Sequence, residues 1–265
     1  MTVQDTILVE KNQHGVATLT LNRPQVHNAF NETMIAQMTE SLHQLAIDHS
    51  VRILVLKSTG KHFSAGADLA WMRKMMQYDA TANFQDALAL GKLMYHLHHF
   101  PKPTLAIVQG NAYGGGAGLI ACCHIAITAS IAEFCFSEVK LGLIPAVISP
   151  YVIQAIGQRH ARAYFLSANT FNAATALQMG LCHEVVAIEE LETKAHEMIT
   201  RLLQNGPHAL QAVNQLMNHL QTPSIDEDLV HMTAKTIAML RISPEGQEGL
   251  NAFLEKREPS WVKTR

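Results

Sequence analysis

The chain has 265 residues, of which 48% are hydrophobic and only 16% charged. Soluble domains average about 25% charged residues, so few charges are available to cover this surface. Twenty basic residues against 22 acidic ones give a net charge of -2, without the basic excess of a polyanion binder or the composition of a disordered chain. The length allows one large domain or two small ones. The four cysteines show no C-x-x-C spacing, and Cys122 and Cys123 are adjacent, a pattern of reduced thiols. The N-terminal MTVQDTILVEKNQHG lacks both a basic segment and an apolar h-region. The longest apolar run, Ala117 to Ala129, is too short for a bilayer and contains His124. These features predict a soluble cytoplasmic protein with no membrane and no nucleic-acid partner.

Ile7–Glu10 and Val16–Leu21 are β-prone runs joined by Asn12-Gln13-His14-Gly15, a hairpin signal. From Asn31 to Asp48, the residues Met34, Ile35, Met38, Leu42 and Leu45 recur at helical spacing. Ile53–Leu56, Thr104–Val108 and Ile125–Thr128 are continuous apolar runs, short enough for buried strands. A helix is predicted from Phe84 to His99, stopped by Pro101 and Pro103. Beyond Pro150, helices are predicted at Arg159–Ala168 and Asn172–Met179, the latter ended by Gly180, with a short strand at Glu184–Ala187. From Glu189 onward the pattern is helical, with Pro207 and Ser243-Pro244 as helix starts. An α/β core over residues 1–190 followed by a helical region over 191–265 is the expected organisation.

Two glycine-containing loops each follow a buried-strand candidate. One is Lys61-His62-Phe63-Ser64-Ala65-Gly66-Ala67-Asp68-Leu69, and the other runs from Gly110 to Gly118. Both precede helix-prone sequence, which would leave backbone N–H donors and a positive dipole end facing outward. Two such loops facing one point would form an oxyanion hole. Each alone is more simply read as a tight strand-to-helix turn. Gly116-Ala117-Gly118-Leu119-Ile120-Ala121 formally matches a dinucleotide fingerprint, but too few residues separate it from the next strand for a crossover helix. No P-loop, no G-x-S-x-G elbow and no H-E-x-x-H are present. His96, His98 and His99 could form a metal cluster, although a solvated helix end is the simpler reading. Glu138 lies in an apolar stretch, where desolvation would raise its pKa toward general acid/base work, or it is a loop residue paired with Lys140.

Asn22-Arg23-Pro24 with Asn28-Ala29, Phe63-Ser64-Ala65-Gly66-Ala67-Asp68-Leu69, Gly114-Gly115-Gly116 and Ser137-Glu138-x-x-Leu141-Gly142-x-x-Pro145 together resemble the crotonase family. Its best-known members are enoyl-coenzyme A hydratases and isomerases, and the resemblance covers nearly the whole chain. Within the family, Ala65–Trp71 and Ser137–Tyr151 look most like bacterial methylglutaconyl-coenzyme A hydratases of leucine or terpenoid degradation. The resemblance implies an α/β fold, a crotonase-like spiral of ββα units with a C-terminal helical trimerisation region, and a homotrimer or a hexamer of paired trimers. It implies that the N–H groups of Ala67 and Gly115 bind the thioester oxygen, that the Ala65 backbone meets the adenine, and that Phe253 and Lys256 reach coenzyme A. Coenzyme A is then part of the substrate, with no further cofactor and no metal.

One departure from the family pattern concerns the chemistry. Typical hydratases pair a glutamate two residues after Gly-Gly-Gly with one at the position of Glu138; here the first position is Gly118. The family's Asp in the A-C-D run is His124. A lone Glu138 suits hydration through one carboxyl group. The alternatives are C2-to-C4 proton transfer in a 3-enoyl isomerase, and a catalytically silent scaffold or RNA-binding member. The acyl specificity is left open: Arg73 and Lys74 are candidates to meet a distal carboxylate, and Trp71, Met72, Met75 and Met76 to line an acyl pocket, each with a solvated or core-packing alternative.

Overall fold

The structure is a computed structural model that describes residues 5–220 and 224–262. The first four residues of the polar N-terminal stretch lie outside the described residues. The chain opens with β1 (Ile7–Lys11) and β2 (Val16–Leu21), the predicted antiparallel hairpin. α1 (Glu32–Ile47) follows, capped by the Asn31 side chain accepting from Met34 N–H. β3 (Ile53–Ser58) leads through the first glycine loop to α2 (Leu69–Met75) and α3 (Ala80–His98). β4 (Thr104–Val108) and β5 (Ala112–Tyr113) precede α4 (Gly115–Cys122). β6 (Ile125–Ala129) and β7 (Glu133–Cys135) then run into a 3-10 turn at Glu138–Leu141. These are successive ββα turns of a spiral.

α5 (Ser149–Ser167) begins ten residues before the expected Arg159. Its first half was hidden by Gly157, which interrupts the helix with φ 75°. β8 (Phe171–Asn172), α6 (Ala173–Met179), β9 (Glu184–Val186) and α7 (Leu191–Leu203) complete the core. α8 (Pro207–His219), α9 (Glu227–Ile242) and α10 (Pro244–Glu255) follow, the last two starting at Asp226 and Ser243 caps.

The main sheet has the order β1-β2-β3-β4-β6-β9 and is parallel except for the β1–β2 pair. A small second sheet, β5-β7-β8, was not foreseen because its strands are only two or three residues long. The period-2 alternation of strands divides the core in two. Leu54, Leu56, Ala106 and Val108 pack with α1, α3 and α4, whereas Ile53, Val55, Leu105 and Ile107 pack under α7. A parallel strand covered on both faces has to be apolar at every position, which is why ILVL and TLAIV show no alternation in the sequence.

A buried lysine and a half-buried arginine fasten the layers. The Lys102 ammonium is buried and donates to the carbonyls of Leu45, Ala46 and Asp48 at 2.8, 3.0 and 2.7 Å, satisfying the open end of α1. Arg52 donates to the carbonyls of Leu203, Asn205 and Trp261, tying the C-terminal segment to the sheet. Histidines close two strand starts: Thr104 N–H donates to His124 Nδ1 at 3.0 Å and Ala126 N–H to His183 Nδ1 at 3.1 Å. Burial and the nearby His98 hold His124 down at a pKa of about 4, so it remains a neutral acceptor.

Candidate active site

The first glycine loop is positioned by the Asn22-Arg23-Pro24 and Asn28-Ala29 motifs. Asn28 is fully buried, accepts from Arg23 N–H at 2.8 Å, and donates to the carbonyls of Thr59 and His62 at 2.8 and 3.0 Å. Arg23 donates to Asp68 Oδ2 at 2.8 Å, and Asp68 caps α2 by accepting from Ala70 and Trp71 N–H. Burial alone would raise the Asp68 pKa, but the Arg23 guanidinium and these two N–H groups outweigh it and hold the carboxyl below its usual range.

An isolated parallel bridge between Phe30 and Ala67 then fixes the direction of the Ala67 N–H. Phe30 N–H donates to Gly66 C=O at 2.7 Å and Asp68 N–H to Phe30 C=O at 2.8 Å. Bonding groups alternate sides along an extended chain, so the intervening Ala67 N–H points away from Phe30. Among the described residues it donates no hydrogen bond, and Ala67 is exposed.

The second loop lies beside the first. Ser64 and Ala112 form a parallel bridge, with Tyr113 N–H donating to Ser64 C=O at 2.9 Å. Gly114 takes φ 50° and ψ -120°, a conformation open to glycine, and its N–H donates to Cys135 C=O at 2.9 Å. α4 starts immediately after it. The first intrahelical partner goes to Gly118 N–H, which donates to Gly114 C=O at 3.1 Å. The N–H of Gly115, at the head of the helix, donates no hydrogen bond among the described residues. Two unused donors, those of Ala67 and Gly115, therefore come from neighbouring loops tied together by one bridge.

Glu138 begins the 3-10 turn after β7 and stands against this second loop. A Cβ on Gly114 would lie 3.1 Å from Glu138 Oε1, so the bare glycine makes room for the carboxyl group. Oε2 is buried without a hydrogen-bond partner. Burial raises the Glu138 pKa above its ordinary value of 4.5, opposed only by its own backbone N–H. Its sequence neighbours are not the cause of that burial, because Leu141, Leu143 and Ile144 are 59%, 55% and 72% exposed. The tertiary fold desolvates it. Lys140 is exposed and forms no ion pair with it among the described residues.

Two N–H groups without partners on bridged loops, with a desolvated carboxyl group against the second loop, are the kind of donor set and acid/base group that stabilising an enolate requires. The sequence matches the family described as Enoyl-CoA hydratase/isomerase over residues 11–264. The chain belongs to the enoyl-CoA hydratase/isomerase family. It is 30% identical to the 2,3-dehydroadipyl-CoA hydratase of Escherichia coli strain K12, over 96% of this chain and 98% of that one. To the crotonyl-CoA hydratase of Syntrophomonas wolfei it is 30% identical over 97% and 98% of the two chains. The crystal structure of an enoyl-CoA hydratase from Shewanella pealeana superposes with a TM-score of 0.93 at 48% identity, covering 97% and 96% of the two chains.

The remaining sequence candidates of this family member are dispersed. Ala65 is exposed, and its N–H donates to His27 C=O at 2.9 Å. Phe253 and Lys256 lie at the end of α10, which packs against α8 and α9; both are exposed, and no hydrogen bond or ring contact among the described residues joins them to the loops. Trp71 is buried and donates to Asp86 at 3.0 Å, whereas Met76 is 86% exposed. Arg73 is exposed and Lys74 pairs with Glu32 at 2.9 Å on the surface. His96 and His98 are half-buried against His43 and Tyr151 rather than solvated. Among the described residues, no three His, Cys, Asp or Glu side chains are placed to hold a metal ion, and no helix is long and apolar enough to cross a membrane.

What the sequence missed is the structural work of Arg23, Asn28 and Asp68. The signal was present as buried-type polar residues between apolar runs, but the Arg23–Asp68 and Asn28–Thr59 partners lie 45 and 31 residues apart.

Proposed function

We propose that this chain is an enoyl-coenzyme A hydratase that works with Glu138 as its acid/base group and the N–H groups of Ala67 and Gly115 as its oxyanion hole. The observation that carries this reading is the partnerless Glu138 Oε2 beside the loop that offers Gly115. Hydration adds water across the C2–C3 double bond of a 2-enoyl thioester. Glu138 accepts a proton from water as the new C3–O bond forms, electrons shift onto the thioester oxygen, and the same carboxyl returns a proton to C2. Each well-placed donor contributes about 3–4 kcal/mol to the enolate-like state. The raised Glu138 pKa makes the carboxyl a better base toward water once ionised and a competent acid toward C2.

Ala65 would meet the adenine through its carbonyl, and Phe253 and Lys256 would reach coenzyme A from a neighbouring subunit. A trimer suits α9, which buries no residue within the chain and exposes Val230, Ile237, Met239 and Ile242. In this reading the chain is a cytoplasmic homotrimer or hexamer with a helical oligomerisation region at 191–265, no cofactor beyond the substrate, and no nucleic-acid partner. Methylglutaconyl-coenzyme A, an intermediate of leucine degradation, is the favoured substrate. The sequence around Glu138 supports it, and the relative named for 2,3-dehydroadipyl-CoA likewise acts on an acyl group with a distal carboxylate.

Isomerisation of a 3-enoyl thioester is the second reading, because one carboxyl group also suffices to move a proton from C2 to C4. A panel of 3-methylglutaconyl, crotonyl and 3-enoyl thioesters, with products weighed by mass spectrometry, separates the two. Hydration adds the mass of water and isomerisation adds nothing. Glu138→Gln is expected to slow turnover by about 10²–10⁴-fold; full turnover of that variant on every thioester overturns both readings.

A further inference from the structure

Gly118 N–H donates to the carbonyl of Gly114, the N-cap of α4, at 3.1 Å. The bare Cα of Gly114 lies against the Glu138 carboxyl. The bare Cα of Gly118 lies against Ile148. A Cβ on Gly118 would stand 2.3 Å from Ile148 Cγ2, 2.8 Å from Ile148 Cβ and 3.5 Å from Met94 Cε. The first two separations are closer than carbon atoms approach, so the side-chain space of residue 118 is already filled.

The filling is apolar and fixed. Ile148 is 2% exposed and sits at the N-cap of α5, seven residues beyond the 3-10 turn that carries Glu138. Met94 on α3 is fully buried behind it, and Val147 packs against the same core. Nothing in this wall can hold a proton. Correspondingly, no charged group contributes to the environment of Glu138, and its Oε2 has no hydrogen-bond partner.

We propose that Ile148 is a specificity-determining residue: by filling the side-chain space of position 118 it closes that space to a second carboxylate and leaves the proton transfers to Glu138. The inference rests on the hydratase reading above. It explains why a glycine, the smallest residue, leaves no hole at position 118: a branched side chain from the start of the next helix fills the space. Both proton transfers then fall to the one carboxyl group.

The test uses the full-length chain and crotonyl-coenzyme A, followed by loss of the conjugated thioester absorbance. Gly118→Glu alone is expected to lose about ten-fold or more in turnover and to keep a single acid limb in its pH–rate profile. Combined with Ile148→Gly, which vacates the space while removing a buried core side chain, the new carboxyl has room, and the profile gains a second limb. In a Glu138→Gln background the same pair is expected to raise turnover about ten-fold over Glu138→Gln alone. The proposal is overturned if Gly118→Glu shows the second limb with Ile148 in place. It is equally overturned if the triple variant folds and is no faster than Glu138→Gln.

A melting cycle covers the case in which these variants do not fold. Alanine in place of a helical glycine ordinarily stabilises, so Gly118→Ala is expected to melt lower than the wild type only because Ile148 is in the way. Adding Ile148→Gly should cancel that loss, making the pair more stable than the two single effects predict. Gly118→Ala melting at or above the wild-type temperature overturns the proposal. These melting results depend on packing alone, whereas a wild-type protein that hydrates no thioester sinks the hydratase reading itself.

Discussion

The two glycine loops deliver the same kind of group, an unpaired N–H, by different physical means. In the first loop, polar residues do the positioning. Asn28, Arg23 and Asp68 bond across the turn, and the Phe30–Ala67 bridge sets the alternation that turns the Ala67 N–H outward. In the second loop, position comes from helix geometry. Gly114 bends the chain at φ 50°, and Gly115 is left with the unbonded donor that every helix start possesses. The first loop is therefore vulnerable to loss of a hydrogen-bond partner and the second to gain of a methyl group. Glycine at Gly114 is required for two separate reasons, its backbone angle and the carboxyl group lying against it.

Breaking the second loop should have the largest effect. Gly114→Ala places a Cβ at a left-handed φ and 3.1 Å from Glu138 Oε1, and under the proposed mechanism turnover should fall by about 10²–10³-fold, the cost of misaiming one oxyanion donor. The expected result is a kcat loss with KM little changed; a loss confined to KM would place the effect in substrate binding instead. Breaking the first loop should act on stability first. Asn28→Ala leaves Arg23 N–H and the carbonyls of Thr59 and His62 without their buried partner, at a cost of about 3 kcal/mol. Urea unfolding checks this, and a midpoint equal to that of the wild type would show that the Asn28 bonds do not hold the loop. Asp68→Ala removes the α2 cap and leaves Arg23 unpaired, with an expected loss of about 1–2 kcal/mol.

The smallest effect is a pH dependence at Glu138, which lies against the second loop. The folded-state pKa of Glu138 is raised above 4.5, so the folded protein holds that proton more tightly than the unfolded chain. Its stabilising contribution is present below the unfolded value and is lost as pH rises through the folded value. Glu138→Gln should therefore melt slightly higher than the wild type at neutral pH, with the difference shrinking toward pH 4.5. A difference that is constant across pH would mean that the carboxyl is not desolvated in solution. Activity has the opposite sign, since the base must be ionised to accept a proton from water. The acid limb of hydration should sit above the usual carboxylate range.

Local pattern was enough for β1 to β4, β6, α1 and α6, because hairpin chemistry, helical spacing and short apolar runs are properties of neighbouring residues. It located the two glycine loops and Glu138, while Ala67 and Gly115 were singled out within the loops by the family resemblance. It failed at β5, β7 and β8, whose two- and three-residue strands carry no period, and at the first half of α5, where Gly157 breaks the helical pattern.

The sequence by itself determined the spiral of strand and helix, the glycine loops and the absence of a second glutamate at position 118. Tertiary structure alone decided that Asn28 and Arg23 brace the first loop, that Glu138 is desolvated while Leu141 and Ile144 beside it are exposed, and that Ile148 fills the space above Gly118. The physical reason is common to all three. Burial, partnership and free volume are set by groups far apart in the chain, and a residue's own neighbours in sequence carry no record of them.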